Sequence, residues 1–165
     1  AITEQPHSAV VSAGQNASFS VDTYGTNVFY QWRKDGMALS DGAAIATTVA
    51  HDSHQLIVIG TDEAMMAQAV NELAACGGGQ VVIKDGHTIG KVVLPIAGLM
   101  SNHPAQVVAE QAATVLRGFV ECGCPLNNPN MQLSLMALVV IPELRISDLG
   151  LVDVSRFACI PAIED

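Results

Sequence analysis

Residues 80–98 read QVVIKDGHTIGKVVLPIAG, and this stretch decides the fold. It predicts two apolar strands joined at Asp85-Gly86, a dipeptide that favours the tight turn of a β-hairpin. Lys84 and His87 flank that turn and are expected to face water. Three glycines, Gly77-Gly78-Gly79, stand just before the first strand. They follow a helical pattern and precede a strand, which is the reverse of a phosphate-binding loop. No Lys-Ser/Thr pair follows to reach a phosphate and its metal, so nucleotide binding here is not expected.

Upstream, QLIVIG (55–60) is a short apolar strand. Thr61 is expected to cap a helix whose first turn carries Asp62 and Glu63, where negative charge is favourable. Met65, Met66, Ala69, Val70, Leu73 and Ala74 then recur at helical spacing until the glycines stop the helix. The methionine pair reads as core filling. Downstream, SNHPAQVVAEQAATVLRGFVECG (101–123) predicts a second helix, with Pro104 at its first position and Asn102 or His103 capping it. Its apolar stripe is Val107, Val108, Ala112, Val115, Leu116, Phe119 and Val120. MQLSLMALVVIP (131–142) reads as a long strand buried on both faces, because its apolar character is nearly continuous. LRISDLGLVDV and RFACIPAI add two short pieces. The expected fold class is α+β, a mostly antiparallel sheet of five or six strands with two main helices on it.

The composition agrees with a packed domain. Half of the 165 residues are hydrophobic and only 14% are charged, which excludes a disordered chain. No apolar run reaches the ~18 residues of a membrane span, and AITEQPHSAV lacks the basic start and apolar stretch of a signal peptide. A formal net charge of −9, with seven basic residues, argues against nucleic acid as a partner. Cys76, Cys122, Cys124 and Cys159 do not have the two-residue spacing of zinc ribbons or redox motifs, and free thiols suit a reducing, cytoplasmic compartment.

The chain changes character near Gly42. Residues 1–42 read as short strands, with Phe19 and Val21 alternating with Ser18 and Ser20. Gln5-Pro6, Gly14, Phe19-Ser20-Val21, Tyr30-Gln31-Trp32 and Lys34-Asp35-Gly36 together resemble the first half of a bacterial immunoglobulin-like domain, in which Trp32 would be the core tryptophan. Such a sandwich takes about seven strands. This segment stops after about three, so it is not expected to fold independently. The expected division is therefore 1–42 and 43–165.

From residue 44 onward the blocks AIATTVAHDSHQLIVIGT, AVNELAACGGGQVVIKDG, VVLPIAGLMSNHPA and LSLMALVVIPELRISDLGLVDVSRF resemble, in order, the C-terminal domain of bacterial adenine deaminase. The resemblance implies a full-length enzyme with an amidohydrolase barrel that holds a divalent metal (iron, manganese or zinc) and converts adenine and water to hypoxanthine and ammonia. It also implies that this domain helps close the active site or helps the enzyme oligomerise. The barrel's His-x-His pair is not in this chain, and a barrel needs ~250 residues. The other class of nucleobase deaminase uses His-x-Glu with Pro-Cys-x-x-Cys, and ECGCP (121–125) has a different thiol spacing. The chain alone is therefore expected to be inactive and to hold no cofactor. Its expected partners are the barrel or a further copy, with adenine only where the barrel is present, and neither nucleic acid nor membrane.

One polar cluster stands out within the first block: His51, Asp52, Ser53 and His54. It reads as a structural turn, as a loop facing a neighbouring active site, or as a metal site using His51 and His54. Glu143, Asp148, Asp153, His103, His87 and His7 read as surface or capping groups. Two alternatives to the deaminase reading are a secreted or surface immunoglobulin-like binding module, which would be extracellular, and an artificial fusion of unrelated pieces.

Overall fold

A computed structural model describes residues 2–4, 22–23, 40–52 and 54–161. The chain divides into two compact units, 1–32 and 33–165. In the first, β1 (Ile2–Glu4) pairs antiparallel with β2 (Asp22–Thr23), Ile2 lying opposite Thr23. The Phe19–Val21 strand, Trp32 and the Asp35-Gly36 turn lie outside the described residues.

The second unit runs β3 (Ala43–Thr47), β4 (Ile57–Gly60), α1 (Glu63–Cys76), β5 (Gly79–Lys84), β6 (His87–Val93), α2 (Ala105–Glu121), α3 (Pro129–Leu135), β7 (Leu144–Ser147), β8 (Gly150–Asp153) and β9 (Ala158–Ile160). The α+β expectation holds, with every strand pairing antiparallel. The strands form two sheets, a four-stranded one in the order β4-β3-β5-β6 and a three-stranded one in the order β7-β8-β9. The β5–β6 hairpin turns at Asp85-Gly86, where both residues have positive φ (50° and 78°), as this turn requires.

A strand that periodicity did not reveal is the centre of the larger sheet. β3 (AAIAT) pairs with β4 on one side and β5 on the other, and all five residues are buried. Alanine is a poor strand former in isolation, but here both faces are covered, and small side chains let helices approach closely. On one face, Ala44, Ala46, Val81 and Ile83 pack with Ala69 and Leu73 of α1. On the other, Ala43, Ile45, Val82 and Val92 pack with Val115 and Phe119 of α2 and with Leu133 of α3. Fully burying a side chain such as Phe119 or Leu73 contributes roughly 1.5–3 kcal/mol. Gly90 admits α2 to the sheet, since a Cβ there would stand 2.7 Å from the Thr114 carbonyl oxygen.

Local details differ from expectation in instructive ways. Asp62, not Thr61, caps α1 by accepting the Met65 N–H at 2.9 Å. The Thr61 hydroxyl instead accepts the Ala43 N–H, tying the end of β4 to the start of β3. Met65 and Met66 pack against the α1-side core, as expected. Pro104 occupies the capping position of α2, without a side-chain cap. Of the α2 stripe, Val108, Ala112, Val115 and Phe119 face the core, while Val107, Leu116 and Val120 are exposed.

The largest correction concerns residues 131–142. The expected strand is absent, and its first half is the helix α3, entered through Pro129 and followed by turns. Leu133, its neighbour Ser134 and Ala137 are all buried, and two adjacent inward positions with a third one turn later fit a helix rather than the alternation of a strand. A continuous apolar run does not distinguish the two by periodicity.

On the outer surface, Glu72 of α1 accepts from Thr88 at 2.6 Å and pairs with Lys91 at 3.2 Å, linking α1 to β6. Burial raises the Glu72 carboxyl, but hydrogen bonds from Thr88, Gln68 and Lys91 and the Lys91 charge outweigh it, leaving the group below its ordinary value. The four thiols are free. Cys122 is buried, Cys159 exposed and the other two half-buried. Burial pushes the Cys122 thiol up, away from the reactive thiolate. No helix among the described residues is long and apolar enough to cross a membrane.

Candidate functional site

Three of the quoted sequence blocks converge at one end of the large sheet. The chain leaves β3 at Thr48, whose N–H donates to the Gly79 carbonyl at 2.9 Å and extends the β3–β5 ladder. The Thr48 hydroxyl donates to Gly98 O at 2.6 Å and accepts the Gly79 N–H at 2.9 Å. One side chain thus joins the ATTVAHDSH, CGGGQ and LPIAGLM segments. The contact is too close for larger residues, because a Cβ on Gly78 would lie 2.5 Å from the Gly98 Cα and 3.0 Å from the Thr48 hydroxyl. The glycines therefore serve chain packing. Gly77 ends α1 in a left-handed conformation (φ 82°), and Gly78 N–H donates to Leu73 O at 2.9 Å.

The β3–β4 connection rises from this junction. Ala50 is fully buried, and its carbonyl accepts the His54 N–H at 2.6 Å, bringing His54 back onto Ala50. Ser53 lies outside the described residues. His51 is half-buried, and its Nδ1 is 2.5 Å from the hydroxyl of the buried Ser134 on α3. Asp52 and His54 are exposed. The His51 and His54 rings stand 6.0 Å apart between centroids, tilted by 52°. The turn therefore brings the two imidazoles near each other and spends one nitrogen of His51 on an internal bond. Among the described residues no group of three or more His, Cys, Asp or Glu side chains is placed to hold a metal ion.

Immediately after His54 the chain borders a shallow cavity of about 180 Å³, between Gln55–Ile57, Ala137 and Ile146–Asp148. Of the remaining candidates, Asp148 lines this cavity, and the others make local bonds or are exposed. Asp153 accepts the Arg156 N–H at 3.1 Å and faces its guanidinium at 4.0 Å. The Glu143 carbonyl accepts the Val154 N–H. His87, His103 and Asp148 are exposed, and His7 lies outside the described residues. Sequence reasoning missed Thr48 and Ser134. Thr48 was inside a distinctive block but looks like an ordinary strand residue. Ser134 was hidden in the run mistaken for a strand.

The family described as adenine deaminase C-terminal domain matches residues 32–158, starting upstream of the change in character near Gly42. Similar proteins include the adenine deaminase of Paracoccus denitrificans (strain Pd 1222), 50% identical over 154 residues that cover 93% of this chain and 24% of that protein. That of Roseobacter denitrificans (strain ATCC 33942 / OCh 114) is 55% identical over 139 residues, 84% of this chain and 22% of that protein. Adenine deaminase 3 of Rhizobium meliloti (strain 1021) is 56% identical over 122 residues, 74% of this chain and 20% of that protein. The chain thus spans less than a quarter of the length of these relatives. Residues 43–165 number 123, so the 154- and 139-residue matches extend into the first 42 positions.

Proposed function

Because the chain belongs to the adenine deaminase C-terminal domain family, we propose that it is the non-catalytic closing domain of an enzyme that converts adenine and water to hypoxanthine and ammonia. The observation that carries this is the match over residues 32–158 in a chain that spans 24% of its Paracoccus relative. The divalent metal of the reaction (iron, manganese or zinc) belongs, on this reading, to the barrel outside this chain. The described residues do not fit it: the two histidines lack a third ligand, and His51 is bonded to Ser134. A catalytic metal needs three protein ligands and an open position.

The role left to this chain is to cover the barrel's active-site mouth. The exposed Asp52 and His54 would project from the turn beside that mouth, while His51 anchors the turn to α3. The Thr48 junction fixes the base of the same turn, so its pose is set by two bonds to distant parts of the chain. A cytoplasmic setting accords with the free thiols. The family match also takes in Trp32 and Lys34-Asp35-Gly36, on which the immunoglobulin likeness drew. This favours one deaminase domain over a surface-binding module or an unnatural fusion.

The test is hypoxanthine formation from adenine. The chain alone, supplied with iron, manganese or zinc, is expected to give none; metal-dependent turnover would overturn the non-catalytic assignment. A hybrid in which this chain replaces the matched part of the Paracoccus enzyme is expected to recover activity that the truncated enzyme lacks. A hybrid as inactive as the truncation would overturn the closing role.

A further inference from the structure

The three-stranded sheet has an apolar face that stays partly exposed. Paired residues of an antiparallel ladder share a face. Ile146 lies opposite Leu151, which lies opposite Ile160, and Leu144 sits two residues from Ile146 on the same side. Leu144 is 50% exposed and Ile146 44%. One apolar side chain in each of the two turns is more exposed still, Leu149 at 79% and Phe157 at 88%. Ile146 also lines the cavity beside the histidine turn, together with Leu56, Ile57 and Ala137. A stripe of exposed apolar side chains therefore leads into an apolar recess. A contiguous exposed apolar patch of this kind marks an interaction surface.

We infer that this face of β7–β9, with the recess at Ile146, is the surface that docks onto the remainder of an adenine deaminase polypeptide, which seats an apolar side chain in the recess. The inference rests on the closing-domain reading above. It commits to that partner on two grounds. More than three quarters of the length of each matched relative lies outside this chain, so the natural neighbour of the domain is the rest of that polypeptide. Carboxylates also stand at both ends of β7, Glu143 before Leu144 and Asp148 after Ser147, while Asp153, opposite Leu144, is paired with Arg156. Two copies of this chain, each of net charge −9, would set these carboxylates against one another, and like-charge juxtaposition opposes such pairing. A covering surface that is apolar with basic groups at its edge fits the stripe.

Hydrogen exchange on the free chain and on the hybrid enzyme tests the docking separately from the function. Amides of 144–147, 151–153 and 158–160 are expected to slow by at least about tenfold in the hybrid, whereas the exposed side of α2 around Val120 is unchanged. Equal exchange in the two molecules would overturn the docking surface, even in a hybrid that deaminates adenine. Slowed exchange in an inactive hybrid would uphold the surface and refute the closing role. Slowing that appears in the free chain with rising concentration, alongside a dimer mass by light scattering, would assign the face to a second copy and overturn the inference. As a second reading, Ile146→Asp is expected to raise hybrid exchange at 144–153 toward the free-chain value. Val120→Asp is expected to leave it unchanged; equal effects of the two would count against the inference.

Discussion

The two sheets of this domain differ in how they keep water out. The four-stranded sheet has α1 on one face and α2 with α3 on the other, and its central strand is buried at every position. The three-stranded sheet contributes Val154 as its nearest fully buried apolar neighbour and leaves Leu144 and Ile146 about half exposed. Both are antiparallel, but β-branched residues fill about half of the strand positions in the large sheet and only Ile146, Val152 and Ile160 in the small one. The covering layer separates them further. One sheet completes its own core, and the other presents an apolar face suited to something larger.

That contrast can be broken most directly by paired truncations. Phe119→Ala removes a ring that is 2% exposed against the large sheet, and is expected to cost about 3–5 kcal/mol in chemical denaturation. Phe157→Ala, at 88% exposure beside the small sheet, is expected to change stability by no more than about 0.5 kcal/mol. Similar costs for the two would mean that the small sheet is integrated with the core. A smaller effect is expected at the junction that carries the histidine turn. Thr48→Val keeps the shape but removes the hydroxyl that serves Gly98 O and Gly79 N. It is expected to cost about 1–3 kcal/mol, the range for leaving buried polar groups unpaired. A neutral result would show that water or local relaxation replaces the hydroxyl.

The sequence revealed those elements whose pattern is local. The β5–β6 hairpin was legible in Asp85-Gly86, and α1 in its apolar spacing and terminal glycines. β3 was not legible, since an alanine-rich strand acquires its preference only from helices on both sides. α3 was not legible either, because a continuous apolar run carries no period. The same limit applies to the site. His51, Asp52 and His54 stood out, but the bond from His51 to Ser134 spans 83 positions and that from Thr48 to Gly98 spans 50. Which histidine turns inward and which faces solvent is decided by partners that local sequence does not identify. The family blocks nevertheless marked both ends of the Thr48–Gly98 contact.

The most direct measurement of the central claim is residue-resolved hydrogen exchange on the free 165-residue chain. Amides of Val81, Val82 and Ile83 in β5 are expected to open only with global unfolding, whereas those of Arg145–Ser147 and Leu151–Asp153 exchange through cheaper local opening, at least about a hundredfold faster. Protection of β7–β9 equal to that of β5, in a monomeric sample, would contradict the division into a self-sufficient sheet and one that awaits its covering partner.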